Sequence, residues 1–254
     1  MDRPLELVQL TDLHLSETVG TLIQGVDADA GFEAVIAQLR QQPGPDAVLL
    51  TGDLSHDGSR ASYERVVERI GEIDARRVMA LPGNHDDPAT LRTVLGNAGF
   101  EVGPEARLGS WLIVLLDSCV PGAVSGRLAP TVLDGLRRTL ARHSAQHALV
   151  CLHHQPVDVG TPWLDLLGLQ HPEDLFDVLD RHGWVRGVVF GHIHAAHRCE
   201  RRGLPLLGGP ATSCQFQPGA AEVRIADRPP GYRRISLSPD GSIDSRVEYV
   251  GSPA

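Results

Sequence analysis

Five short, mostly apolar runs, each followed within three residues by Asp, Asn or His, constrain this chain more than any other feature. Residues 5–11 lead into Asp12-Leu13-His14, 47–51 into Gly52-Asp53, and 77–81 into Pro82-Gly83-Asn84-His85-Asp86. Residues 148–152 lead into His153-His154, and 185–190 into Gly191-His192-Ile193-His194. A continuous apolar run such as 47–51 fits a strand covered on both faces. Between the first three runs lie stretches of helical period. Residues 30–41 put Phe32, Val35, Ile36 and Leu39 on one face; 61–73 do the same with Val66, Val67 and Ile70; 89–98 read as a short helix. This strand–helix alternation predicts a largely parallel central sheet. Ligands gather outside the carboxyl ends of such strands, so residues remote in sequence converge on one crevice.

Further along, 111–117 reads as a strand and 131–143 as a helix. Residues 172–182 read as another helix, with Pro172 in the favoured first turn. From residue 197 onward, strand candidates at 204–207, 232–237 and 245–250 alternate with Gly and Pro, suggesting a second, partly antiparallel sheet. The length suits an α/β fold in one domain over 1–254, with an insertion at about 156–170 and a β-rich part from about 197.

Taken singly, the polar clusters have ordinary explanations. Asp-x-His is usually a cap or a surface loop, Gly-Asp is usually a turn, and paired histidines can be satisfied by hydrogen bonds. Five such clusters at successive strand ends, all offering hard or borderline metal donors, outrun those explanations. Gly52, Gly83 and Gly191 also permit close approach to a bound group. The donors are Asp12, His14, Asp53, Asn84, His153, His192 and His194. Carboxylate, amide oxygen and imidazole without thiolate fit iron, manganese, cobalt or zinc in a reactive site rather than a structural zinc. Seven donors exceed one four-coordinate ion. Two ions sharing a bridging carboxylate can use them all, and a pair about 3.5–4 Å apart can hold a hydroxide and a phosphate between them.

Composition narrows the partners. Hydrophobic residues at 42% and charged residues at 22% exclude wholesale disorder. A net charge of −9 argues against a nucleic-acid partner. It leaves a small phosphate ester open, because a metal supplies positive charge locally. Cys119, Cys151, Cys199 and Cys214 form no CxxC pair, as expected of reduced thiols. No stretch approaches the roughly 18 apolar residues of a membrane span, and the first residues carry no apolar signal segment. The expectation is a cytoplasmic protein without stable membrane anchoring.

The whole motif set, from residue 7 to 194, resembles that of the calcineurin-like metallophosphoesterases. The resemblance implies a four-layer α/β/β/α sandwich with two mixed sheets and a dinuclear centre. It implies that Asp12, His14, Asp53 and His194 bind one metal, that Asp53, Asn84, His153 and His192 bind the other, and that Asp53 bridges. Purple acid phosphatases place Tyr where His56 stands, and protein Ser/Thr phosphatases need an Arg missing from Gly52-Asp53-Leu54-Ser55-His56-Asp57-Gly58. The run from Gly52 through Asp57-Gly58-Ser59, with Leu81 to Asp86, instead resembles the class III cyclic-nucleotide phosphodiesterases. His153-His154-Gln155-Pro156, the insertion around Trp163-Leu164-Asp165, the segment 210–216 and Pro230-Gly231-Tyr232-Arg233 are similar to the bacterial 3′,5′-cyclic-AMP phosphodiesterases, out to about residue 250. Ser213-Cys214 before Gln215-Phe216 departs from the commoner pattern.

This resemblance implies hydrolysis of 3′,5′-cyclic AMP to 5′-AMP by a hydroxide held between two divalent ions, iron and/or manganese first, cobalt or zinc next. Asn84 and His85 would be catalytic, and His14, Asp53, Asn84, His85 and His194 would touch the substrate. The alternatives are a broader phosphodiesterase for 2′,3′-cyclic nucleotides or glycerophosphodiesters, and a non-catalytic metal-bound scaffold. Asp86 is read as a partner of His85 or a helix cap, and His154 as a support for the site or a packing residue. His56, His143, His147, His171, His182 and His197 are read as surface or loop residues. Trp163 is read as a base-stacking residue, a subunit contact or plain packing. With Leu164, Leu166, Leu167 and Leu169 it makes an apolar cluster of the kind that marks an interface or a site lid, and a homodimer is expected.

Overall fold

The computed structural model describes residues 3–143 and 147–251. The chain begins with β1 (Leu5–Leu10), β2 (Leu22–Ile23), β3 (Val26–Asp27), α1 (Ala28–Leu39), β4 (Ala47–Thr51), α2 (Arg60–Ile70), β5 (Val78–Leu81) and α3 (Pro88–Asn97). It continues with β6 (Glu105–Leu108), β7 (Trp111–Leu116), β8 (Gly126–Arg127), α4 (Pro130–Arg142), β9 (His147–Leu152), α5 (Pro162–Asp165), β10 (Leu169–Gln170) and α6 (Pro172–Leu179). It closes with β11 (Val185–Phe190), β12 (His197–Arg201), β13 (Leu204–Gly208), β14 (Gly231–Leu237) and β15 (Ile243–Tyr249). Helix starts follow local chemistry. The side chains of Asp27, Ser59 and Asp87 accept from the backbone N–H groups of Ala30, Ser62 and Thr90, and Pro130 opens α4.

Two sheets stack face to face. The first runs β15-β14-β1-β4-β5 and the second β12-β13-β11-β9-β7-β6. In the first, β1, β4 and β5 are parallel, while β14 and β15 add antiparallel beside β1. In the second, β7, β9, β11 and β13 are parallel, with β6 and β12 antiparallel at the edges. Leu7, Leu49 and Met79 meet Ile113, Leu149 and Val189 in the core between the sheets. The outer face of the first sheet packs on α1, α2 and α3 through Phe32, Val66 and Leu91. The outer face of the second packs on α4 and α6 through Leu136 and Leu175. These are the four expected layers, α/β/β/α.

The allocation of strands differs from the sequence reading. The C-terminal strands do not form a sheet of their own. Strands β7, β9 and β11 already build the second sheet; β12 and β13 extend it, and β14 and β15 return to the first. An apolar run shows that a strand is covered on both faces but carries no mark of which sheet it joins. The short strands β2, β3, β6, β8, β10 and β12 escaped the apolar template. Edge strands β6 and β12 carry charges in Glu105-Ala106-Arg107-Leu108 and His197-Arg198-Cys199-Glu200-Arg201, as edge strands commonly do. Two helices are shorter than the period suggests. Helix α2 ends at Ile70 before a turn that buries Ile73, and α6 ends at Leu179.

The insertion also points elsewhere than expected. Leu164 and Leu169 are buried in the protein's own core, Trp163 and Leu167 line a cavity, and only Leu166, 77% exposed, faces out. The apolar cluster that motivated a homodimer therefore faces mostly inward.

Candidate metal centre

All five polar clusters meet at one end of the sandwich. Asp12, His14, Asp53 and Asn84 come from the loops leaving β1, β4 and β5; His153, His192 and His194 come from those leaving β9 and β11. The loops are tied to one another by main-chain bonds. Asp12 N–H donates to the Gly52 carbonyl at 3.0 Å and His14 N–H to the Asp53 carbonyl at 2.9 Å. Gly52 has φ +94°, and a Cβ there would run into His153 and Gly83; a Cβ on Gly83 would run into Asp53. Both positions need glycine. Five of the seven donor residues sit in the left-handed region, at φ 55° for Asp12, 52° for His14, 50° for Asp53, 68° for His192 and 45° for His194. Such backbone is costly for non-glycine residues and gathers at functional sites.

The donor atoms fall into two sets. In one, His14 Nε2 lies 3.1 Å from His194 Nε2 and 3.6 Å from Asp53 Oδ2, and His194 Nε2 lies 3.3 Å from Asp12 Oδ1. In the other, His153 Nε2 lies 3.3 Å from Asp53 Oδ2, 3.2 Å from Asn84 Oδ1 and 3.3 Å from His192 Nδ1. Asp53 Oδ2 belongs to both. Nitrogens and oxygens held about 2.1 Å from a common ion have mutual spacings of roughly this size. The tautomers suit ligation too. His153 Nδ1–H donates to the Thr51 carbonyl at 2.8 Å and His194 Nδ1–H to that of Cys214 at 2.8 Å, which turns each Nε2 lone pair to the centre. Asp12 Oδ1, in the first set, is buried with only the 3.3 Å approach of His194 Nε2 beside it. A carboxylate oxygen and imidazole nitrogens gathered in this arrangement fit divalent cations.

Burial and mutual charge set the protonation of the metal-free site. Burial alone would raise Asp53 and Asp12, but the surrounding imidazoles hold both below the usual carboxylate range, Asp53 well below. Burial lowers His14 and His192 to about 3, so both stay neutral. Burial also opposes charge on His153, yet Asp53 raises it to about 9, and Asp12 likewise holds His194 well above its ordinary value.

Several neighbours take roles that the sequence left open or misplaced. His154 is fully buried; its Nδ1 is 2.8 Å from Ser118 Oγ and its Nε2 3.0 Å from the Val124 carbonyl. With both nitrogens occupied, it braces His153 rather than offering a donor. Asp86 neither pairs with the His85 ring nor caps α3, a task that falls to Asp87. Its carboxylate accepts from the N–H groups of Leu54 (3.2 Å), Ser55 (2.9 Å) and Gly83 (2.8 Å) and from the Tyr63 hydroxyl (3.0 Å). It thereby clamps the Asp53 loop to the Asn84 loop. His56 is not a bystander: its ring stacks on His85 at 4.8 Å, and its carbonyl accepts a long 3.4 Å bond from His85 Nδ1. Phe216 stacks on His194 at 4.1 Å and meets Trp163 edge-on at 5.2 Å. The remaining histidines, 143, 147, 171, 182 and 197, stand away from the donors. The site opens into a cavity of about 170 Å³ walled by Ile23, Val124, Trp163, Leu167 and Phe216.

Residues 5–196 match the family model described as calcineurin-like phosphoesterase. The chain belongs to that family. Curated relatives of this phosphoesterase align almost end to end. It is 38% identical over 251 residues to the 3′,5′-cyclic adenosine monophosphate phosphodiesterase CpdA of Pseudomonas aeruginosa, covering 98% of this chain and 91% of the relative. It is 35% identical over 248 residues to a 3′,5′-cyclic-nucleotide phosphodiesterase of Nostoc sp., covering 97% and 93%. Among solved structures, the phosphoesterase fold is shared with a purple acid phosphatase from yellow lupin seeds. That likeness has TM-score 0.68 and 14% identity over 98% of this chain and 52% of that one. A Thermus thermophilus protein gives TM-score 0.66 and 13% identity over 97% and 99%.

Proposed function

We propose that this phosphoesterase hydrolyses 3′,5′-cyclic AMP to 5′-AMP at a centre of two divalent cations. The observation that carries the reading is the convergence of seven donors into two sets sharing Asp53 Oδ2. The end-to-end similarity to cyclic-nucleotide phosphodiesterases supports the substrate. Asp12, His14, Asp53 and His194 would hold one cation, and Asp53, Asn84, His153 and His192 the other. Iron and manganese are the proposed ions, with cobalt or zinc as substitutes. Bound there, they would supply Lewis-acid activation of water and neutralise charge on the phosphate.

The chain's own groups do the rest. His14, Asp53, Asn84 and His194 line the space that the phosphate would enter, beside His85. The bond from His85 Nδ1–H to the His56 carbonyl leaves His85 Nε2 unengaged; with a second proton there, the imidazolium would steady the 3′ oxygen and give it that proton as it leaves. The apolar wall from Ile23 to Phe216 limits water around the reacting ester. Because the donors come from both sheets, we treat the chain as one catalytic domain.

A hydrolysis panel on protein of measured metal content tests the reading. Turnover of 3′,5′-cyclic AMP should exceed that of 2′,3′-cyclic AMP and glycerophosphodiesters, with 5′-AMP as the product. Preference for linear diesters, or release of 3′-AMP, would overturn the substrate or its orientation. In the same panel, His85→Ala should keep both metals and lose about 10²–10⁴-fold on cyclic AMP. The loss should shrink for a p-nitrophenyl diester, whose leaving group needs little help. An equal loss on both would assign His85 to phosphate binding alone.

No helix among the described residues is long and apolar enough to cross a membrane. A cytoplasmic location is part of the proposal, and recovery in the membrane fraction of lysed cells would remove it. A homodimer now rests on Leu166. Light scattering should give the mass of two chains for the wild type and of one for Leu166→Glu, and a one-chain mass for the wild type would dismiss it.

A further inference from the structure

A second cavity, of about 760 Å³, opens where the edge strand β5, the end of β7 and helix α4 come together, and it shares none of the seven donors. Its accessible apolar lining includes Val102, Pro104 and Val132, backed by the buried side chains of Leu81, Leu115 and Leu116. Its charged rim is uneven. Arg92 donates to Asp117 at 2.7 Å and Arg142 to Glu105 at 3.1 Å, so both acids are answered. Arg127 and Arg138 are exposed on the same rim and make no side-chain hydrogen bond or ion pair among the described residues. On a chain of net charge −9, two unanswered arginines line one cavity together with apolar residues.

Helix α4 supplies a second observation. Gly135, in its interior, lines this cavity, and a Cβ there would meet nothing within 4 Å. Glycine is the worst residue for a helix interior after proline, and packing gives no reason for it at this position. Its effect is to leave the cavity wall bare.

We propose that this groove binds a small organic anion with an apolar body. Arg127 and Arg138 would grip its carboxylate or phosphate, and its ring or chain would lie over Val102, Pro104 and Val132. A guanidinium fork matches either head group. The volume lies within the roughly 300–1,000 Å³ of small-molecule sites.

The probe is 8-anilinonaphthalene-1-sulfonate, titrated by fluorescence into the metal-loaded full chain. It should bind at one site and be displaced by octanoate or octyl phosphate. Stronger displacement by one of the two identifies the head group. Arg127→Ala with Arg138→Ala should weaken the probe roughly tenfold or more, since each removes a charged hydrogen-bond donor. Gly135→Leu, which projects a branched side chain from the bare wall into the cavity, should weaken binding roughly tenfold or more, and Gly135→Ala should retain it; circular dichroism confirms that both fold. Failure of the probe to bind the wild type, or unchanged affinity in the arginine and leucine variants, would overturn the proposal.

Discussion

Asp53→Asn should lose at least about 10³-fold in turnover and retain less than one equivalent of metal. Oxygen Oδ2 of Asp53 lies within 3.3 Å of His153 Nε2 and 3.6 Å of His14 Nε2, so it faces both donor sets. Oδ1 accepts from His85 N–H at 2.9 Å and so also fixes the loop that carries Asn84 and His85. A carboxamide removes the charge and puts N–H where a lone pair is needed. Asparagine is the informative replacement because it tolerates the left-handed backbone that Asp53 adopts at φ 50°. The contrast is Asn84→Ala, which deletes a donor from one set only. That variant should keep about one equivalent and lose less activity. Metal analysis and initial rates on the two proteins, side by side, decide the matter. Equal metal content with equal rates would remove Asp53 as the shared ligand.

Removal of metal should abolish turnover, and manganese or ferrous iron should restore it. The same step should lower the melting temperature. A ligand present at a hundred times its Kd stabilises a fold by about 2.7 kcal/mol. For a chain of this size each kcal/mol moves Tm by roughly 2–4 °C, so each saturated ion is worth a shift on the order of 5–10 °C. The structure explains why the metal-free protein would be strained. Asp12 and Asp53 are buried side by side with five histidine and amide donors, and five donor residues hold left-handed backbone. Calorimetry and rate measurement on chelated and reloaded protein supply both readouts. Full activity in protein verified as metal-free would sink the dinuclear reading.

How much of this was readable in the sequence follows from what each signal encodes. The donors were legible because each closely follows a short, mostly apolar run of strand length, and a parallel arrangement then places every cluster at the same end. The layer order came from the resemblance, whereas strand allocation did not come from the residues. Residues 111–116 and 47–51 look alike, yet they lie in different sheets. Asp86 was ambiguous beside Asp87, since either could cap α3; only the approach of the Leu54, Ser55 and Gly83 N–H groups separates them. His56 was misplaced because its proximity to His85 depends on two loops packing side by side, which no local pattern records. The insertion misled for a related reason. Hydrophobicity shows that its leucines need cover, and the chain's own core covers most of them.

The split of donors between the sheets has a consequence for how the molecule assembles. Asp12 and His194, like Asp53 and His153, are remote in sequence, and the members of each pair lie on opposite sides of the seam. Contacts of such high order are satisfied only after both sheets have formed and closed on each other. An ion held there works as a clasp fastened last. It adds little to the speed at which the chain finds its topology, and it raises the barrier to letting go. Unfolding rates, rather than refolding rates, would therefore track metal concentration, and the lifetime of the native state would rest on supply of the same ions as its chemistry.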